Sequence, residues 1–139
     1  MKGYRKALIA VNGSMDVVRH GISLAHEEKT WLTALKVIPP YEGDIDLTGI
    51  RNVGDVLGSG AASTLSEIKR IAESEGALIK TRIEHGEVDE KIIAVAAEEK
   101  CDVIIMGAQK SGFFKRLIGG NVVERVISGA PCPVLVVGA

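Results

Sequence analysis

Five short apolar runs, separated by segments of helical period, constrain this chain more than any other feature. Ala7-Leu8-Ile9-Ala10-Val11 is a continuous apolar run of strand length that stops at the turn cluster Asn12-Gly13-Ser14. Ser14 is placed to cap a helix running to about Lys29, in which Val18, Ile22 and Ala25 recur at three- and four-residue steps. Trp31 to Ile38 reads as a second strand, closed by Pro39-Pro40. Tyr41 to Gly60 shows no clean period and is rich in Gly and Asp, so it reads as a loop. Ala61 to Glu75 reads as a helix with Leu65, Ile68 and Ala72 on one face and Gly76 as its C-terminal cap. Leu78 to Glu84 alternates apolar and polar residues, which suits the margin of a sheet. Val88 to Lys100 is helical through Ile92, Val95 and Ala96, and Val103 to Met106 is a buried-type strand ending at Gly107. A short helix around Phe113 to Ile118, a helix from Asn121 to about Ser128 and a strand from Pro133 to Val137 complete the pattern.

Strict alternation of strand and helix implies right-handed crossovers and an open, five-stranded, mainly parallel sheet with helices on both faces. The 139 residues suit one domain with one core. The first and fourth strands are the most apolar and should be central. A ligand of such a sheet binds beyond the carboxyl ends of its strands, where the winding reverses.

Composition narrows the partners. Apolar residues make up 46% and charged residues 25%, an ordinary globular balance. A formal charge of −1 gives no basic excess for nucleic acid or an anionic membrane. No run approaches the ~20 apolar residues of a bilayer span, and the polar start Met1 to Lys6 does not read as a signal peptide. Cys101 and Cys132 lack metal or redox spacing and read as buried, reduced thiols, in keeping with a cytoplasmic protein. His20, His26 and His85 lack metal-ligand spacing and read as surface residues. Glu98-Glu99-Lys100 and Lys69-Arg70 read as solvated helix faces, and Phe113-Phe114 as packing under a loop.

The chemistry is concentrated after the fourth strand. Gly107-Ala108-Gln109-Lys110-Ser111-Gly112 leads through a glycine-bearing loop to Gly119-Gly120-Asn121 at a helix start. A helix start offers unpaired N–H groups and the positive end of the macrodipole to an anion, and glycines permit close approach of the backbone. Lys110, Lys115 and Arg116 can add charge. The same residues also fit a purely structural role, with glycines in tight turns and Asn121 and Glu124 as a capping-box-like pair. The Gly-Lys-Ser/Thr ending of a Walker loop is missing. No set of nucleophile, base and orienting acid stands out, which argues against a dedicated enzyme but leaves slow ATP hydrolysis open.

Taken together, the opening Ala7 to Ser14, the Leu35-Lys36-Val37-Ile38 strand end and the closing Ala130-Pro131-Cys132-Pro133-Val134-Leu135-Val136-Val137 resemble the universal stress protein family over essentially the whole chain. The resemblance implies a Rossmann-like sheet, of the adenine nucleotide alpha hydrolase-like kind, in the strand order 3-2-1-4-5. The family's nucleotide-binding members carry Gly, two residues, Gly, nine residues, Gly and then Ser or Thr. Those positions fall on Gly107, Lys110, Gly120 and Asn121, so the spacing survives while the second and last residues change. Asn12 stands where the family usually has Asp, and Lys36 where His is common.

The resemblance implies a stress-response regulator binding an adenine nucleotide, ATP with Mg²⁺. Ala10, Val11, Asn12 and Val37 would surround adenine and ribose, and Met106, Gly107, Lys110, Gly120, Asn121 and Val122 would lie along the phosphates. Val11, Val37 and Met106 are equally readable as core residues. Asn12 keeps an acceptor oxygen but loses the charge that would assist a metal. The family also implies a homodimer through the last strand, with a further protein partner that the sequence does not name. The alternative is a member that has lost nucleotide binding and acts only as an interaction dimer.

Overall fold

The computed structural model describes residues 4–11, 15–40, 53–108 and 122–138. Its elements are β1 (Lys6–Ala10), α1 (Met15–Glu28), β2 (Trp31–Ile38), α2 (Val53–Ser74), β3 (Leu78–His85), α3 (Val88–Glu98), β4 (Val103–Gly107), α4 (Val122–Gly129) and β5 (Val134–Val137). The five strands form one sheet in the order β3-β2-β1-β4-β5, every neighbouring pair parallel. The strand order implied by the family resemblance is therefore the observed one. Ser14 as a cap, the segment Tyr41 to Asn52 and the short helix around Phe113 to Ile118, with its Phe113-Phe114 pair, lie outside the described residues.

The alternation of each strand feeds two apolar layers. Ile9, Leu32, Ala34 and Ile105 meet Val18, Ile22, Leu65 and Ile68 in the layer under α1 and α2. Leu8, Leu35, Ile104 and Met106 meet Ile92, Val95, Val122 and Val126 in the layer under α3 and α4. Central β1 and β4 are buried on both faces, which is why they read as unbroken apolar runs. Gly21 lets α1 lie close on this sheet: a Cβ there would come within 2.6 Å of Ile9 Cδ1.

Helix ends follow local chemistry. Gly76 sits at φ +80°, and the bonds Ala77 N–H to Ala72 O (2.9 Å) and Gly76 N–H to Glu73 O (3.0 Å) close α2 in a Schellman motif. α3 ends in the same way, with Lys100 at φ 56° and Cys101 N–H donating to Ala96 O at 2.9 Å. A lysine in this conformation bears a Cβ penalty that glycine avoids.

Two readings of the sequence need correction. Helix α2 starts at Val53, so residues 53–60 are helical rather than part of a loop. Gly54, Gly58 and Gly60 lower helix propensity there, by about 1 kcal/mol each against alanine, yet extending an established helix needs no new nucleus. Glu99 is not on a solvated face but buried at the end of α3, with its side chain 7% exposed. Thr33 Oγ1 donates to its Oε1 at 2.8 Å, Lys80 Nζ lies 3.0 Å from Oε1 and Arg82 Nη1 lies 2.9 Å from Oε2. Arg82 also pairs with Glu84 at 2.8 Å and with Glu98. The polar face of edge strand β3 is thus fastened to the end of α3. Lys69, Arg70 and the three histidines are exposed as read.

Burial alone would raise the Glu99 carboxyl, but bonds from Thr33, Lys80 and Arg82 hold it below its ordinary 4.5. A depressed carboxyl contributes stability above its unfolded value, and that stability is lost as pH falls through the folded value. Glu99→Gln is therefore expected to cost about 2 kcal/mol at pH 7. In urea titrations across pH, the gap between parent and variant should close below the ordinary carboxyl range. A gap that persists unchanged in acid would contradict this account.

Candidate functional site

The sheet winds outward in opposite directions from β1 and β4. Helices α1 and α2 cover one face, and α3 and α4 cover the other. At the reversal the β1–β4 ladder runs Ala7↔Val103, Leu8↔Ile104, Ile9↔Ile105 and then ends. Beyond that point each strand follows its outer neighbour. On one side Ala10 pairs with Leu35, and Val11 N–H donates to Leu35 O at 2.8 Å. On the other, Met106 and Gly107 pair with Val136 and Val137, and Ala108 N–H donates to Val137 O at 2.9 Å. The two central strands therefore part at their carboxyl ends, where a parallel α/β sheet offers its crevice.

The described site residues are deeply set. Ala10, Val37, Met106 and Val122 are 6%, 4%, 2% and 0% exposed, and all belong to the layer under α3 and α4. Val11 is 7% exposed and belongs to the opposite layer. Gly107 is buried at the end of β4. These residues converge from β1, β2, β4 and the first turn of α4, so the sequence positions gathered by the family pattern are spatial neighbours at one end of the sheet. Their side chains serve as packing, and of the residues at the strand ends Ala108 is partly exposed. Asn12, Lys110, Gly120 and Asn121, the positions bearing polar groups or glycine flexibility, lie outside the described residues.

Lys36 stands where the family commonly has histidine. It is half-buried on β2 beside Val37, and desolvation pulls its ammonium below the usual 10.5. Among the described residues no group of three or more His, Cys, Asp or Glu is arranged to hold a metal. An apolar recess under Gly21, between Tyr4, Leu24 and Val103, lies at the opposite, amino end of the strands. Among the described residues no helix is long and apolar enough to cross a membrane.

Comparison with known proteins agrees with this geometry. The universal stress protein family matches residues 3–138. A universal stress protein of Methanocaldococcus jannaschii is 31% identical over 144 residues, covering 96% of this chain and 82% of the relative. The solved universal stress protein UspA of Lactobacillus plantarum superposes with a TM-score of 0.81 at 22% identity, covering 96% of this chain and 97% of the other. Two solved complexes share the fold. One is a universal stress protein with cAMP (TM-score 0.72, 21% identity, 97% of each chain). The other is the Archaeoglobus fulgidus universal stress protein with dAMP (TM-score 0.69, 22% identity, 96% of this chain and 97% of that one). Sheet order, the parted central strands and the match along nearly the whole sequence lead to one conclusion: the chain belongs to the universal stress protein family.

Proposed function

We propose that this protein binds an adenine nucleotide between the carboxyl ends of β1 and β4 and serves as a stress-response regulator rather than an enzyme. The observation that carries the reading is the end of the β1–β4 ladder at Ile9 and Ile105, which opens the sheet at its winding reversal. The cAMP and dAMP complexes of two relatives with this fold support an adenosine phosphate as the ligand class. The proposed ligand is ATP with Mg²⁺. In this reading Ala10, Val11, Asn12 and Val37 surround base and ribose, and Met106, Gly107, Lys110, Gly120, Asn121 and Val122 follow the phosphates. The buried apolar side chains shape the floor, while backbone N–H groups, Asn12, Lys110 and Asn121 supply the polar contacts. Asn12 has no carboxylate to offer a metal, so Mg²⁺ arrives held by the phosphates. Nucleotide occupancy then alters the order of the loops and the choice of protein partner.

A second reading is a family member that no longer takes nucleotide and works only as an interaction dimer. The joint change to Asn12, Lys110 and Asn121 favours it. Calorimetric titration with ATP and Mg²⁺ separates the two. The first reading expects saturable heat below millimolar nucleotide, and an absence of heat there contradicts it. If Lys110 pairs with phosphate as a point charge, Lys110→Gly weakens binding by about fivefold, and by more at low salt. Tighter binding by the variant would mean that the lysine obstructs the site.

The proposed homodimer uses β5. This strand lies at the sheet margin with Val136 37% exposed, and Ile127 of neighbouring α4 is 53% exposed. An apolar edge with unpaired backbone groups is a hazard unless it is covered. Light scattering at micromolar concentration should give a dimer for the parent and a monomer for Val136→Lys. A monomeric parent would contradict this assembly.

A further inference from the structure

The fold brings the chain's two cysteines, Cys101 and Cys132, to the same place although 30 residues separate them in sequence. Cys101 follows α3 and leads into β4, and Cys132 leads into β5. Those strands are paired as Ile104↔Val134, and Ile104 N–H donates to Pro133 O at 2.9 Å. The segments that carry the two cysteines therefore enter β4 and β5 side by side, and Cys132 lies near enough to Cys101 to act on its thiol electrostatically. Both side chains also enter one apolar layer, Cys101 buried within it and Cys132 packed against it. Their thiols are free in this structure.

We propose that Cys101 and Cys132 are an oxidation site, forming a reversible intramolecular disulfide when the protein meets a peroxide. The half-buried Cys132 reacts first. Its thiolate attacks one peroxide oxygen, the O–O bond breaks, and hydroxide leaves and takes up a proton as water. The product at Cys132 is a sulfenic acid. The Cys101 sulfur then attacks the Cys132 sulfur, the S–S bond forms, the S–O bond breaks, and a second water leaves with the Cys101 proton. Two thiols are oxidised by two electrons and one peroxide is reduced to two waters. A dithiol reductant reverses the step by thiol–disulfide exchange.

The surroundings set the pace. Burial is the first cause that pushes the Cys101 thiol up to about 11; Glu99, Cys132 and Asp102 add to it and Lys6 opposes it. Burial, then Asp102, raises Cys132 as well. The thiolate is therefore scarce at neutral pH, and oxidation accelerates as pH rises. The bond would close a loop containing β4, residues 109–121 and α4, and would tie edge strand β5 to the end of α3. Constraining that much unfolded chain stabilises the oxidised form. This inference does not rest on nucleotide binding.

The test uses the full chain, folded, treated with hydrogen peroxide and then blocked and digested without reductant. Mass spectrometry should find the Cys101 and Cys132 peptides joined within one chain. The Tm should rise by at least about 5 °C and return on adding a dithiol. Cys132→Ser and, separately, Cys101→Ala should each remove the peroxide-dependent rise while melting cooperatively; using both keeps the test valid if one variant folds poorly. Sulfinic or sulfonic acid at Cys132 without a joined peptide, a cross-link only between chains, or no reaction of either thiol would overturn the proposal.

Discussion

The pairing of β1 with β4 organises everything else in this molecule. Leu8, Ile9, Ile104 and Ile105 are each no more than 1% exposed, and they come from two strands far apart in sequence. Because neighbouring residues on a strand point to opposite faces, this one contact seeds both apolar layers. Ile9 and Ile105 start the layer that α1 and α2 complete, and Leu8 and Ile104 start the layer that α3 and α4 complete. Once these strands adjoin, right-handed crossovers send β2 and β3 to one side and β5 to the other. The winding reversal, and hence the crevice, is a consequence of that placement.

The same contact limits what the crevice can be. Its floor is made of side chains that the core already uses, such as Met106 and Val122. Among the described residues, that floor is apolar and carries no cluster of ionisable groups. The charged network among the described residues centres on Glu99, Lys80 and Arg82, and it fastens the β3 margin to the end of α3.

Much of the fold was legible because strand burial and sequence pattern are directly linked. Trp31 to Ile38 was read to the residue, and the alternation of Leu78 to Glu84 marked β3 as marginal, as the strand order shows. The start of α2 was missed because Gly54, Gly58 and Gly60 lower local propensity, whereas helix length depends on cooperative extension. The burial of Glu99 was illegible for a different reason. Its partners Thr33, Lys80 and Arg82 arrive from two other strands, and nothing within Glu98-Glu99-Lys100 announces them. The adjacency of Cys101 and Cys132 was hidden likewise, since only the β4–β5 register brings them together. For the candidate site, the family resemblance pointed to Ala10, Val37, Met106 and Val122, which share one layer in the structure. It could not divide them into floor and contact, because that division depends on burial.

The central claim is that an adenine nucleotide occupies the opening between β1 and β4. Backbone amide NMR during titration with ATP and Mg²⁺ tests it residue by residue. The account predicts that the largest shifts fall on Val11, Gly107, Ala108 and Val122, with Leu78 to His85 of β3 almost unmoved. Shifts centred on β3, or none at saturating nucleotide, would contradict it.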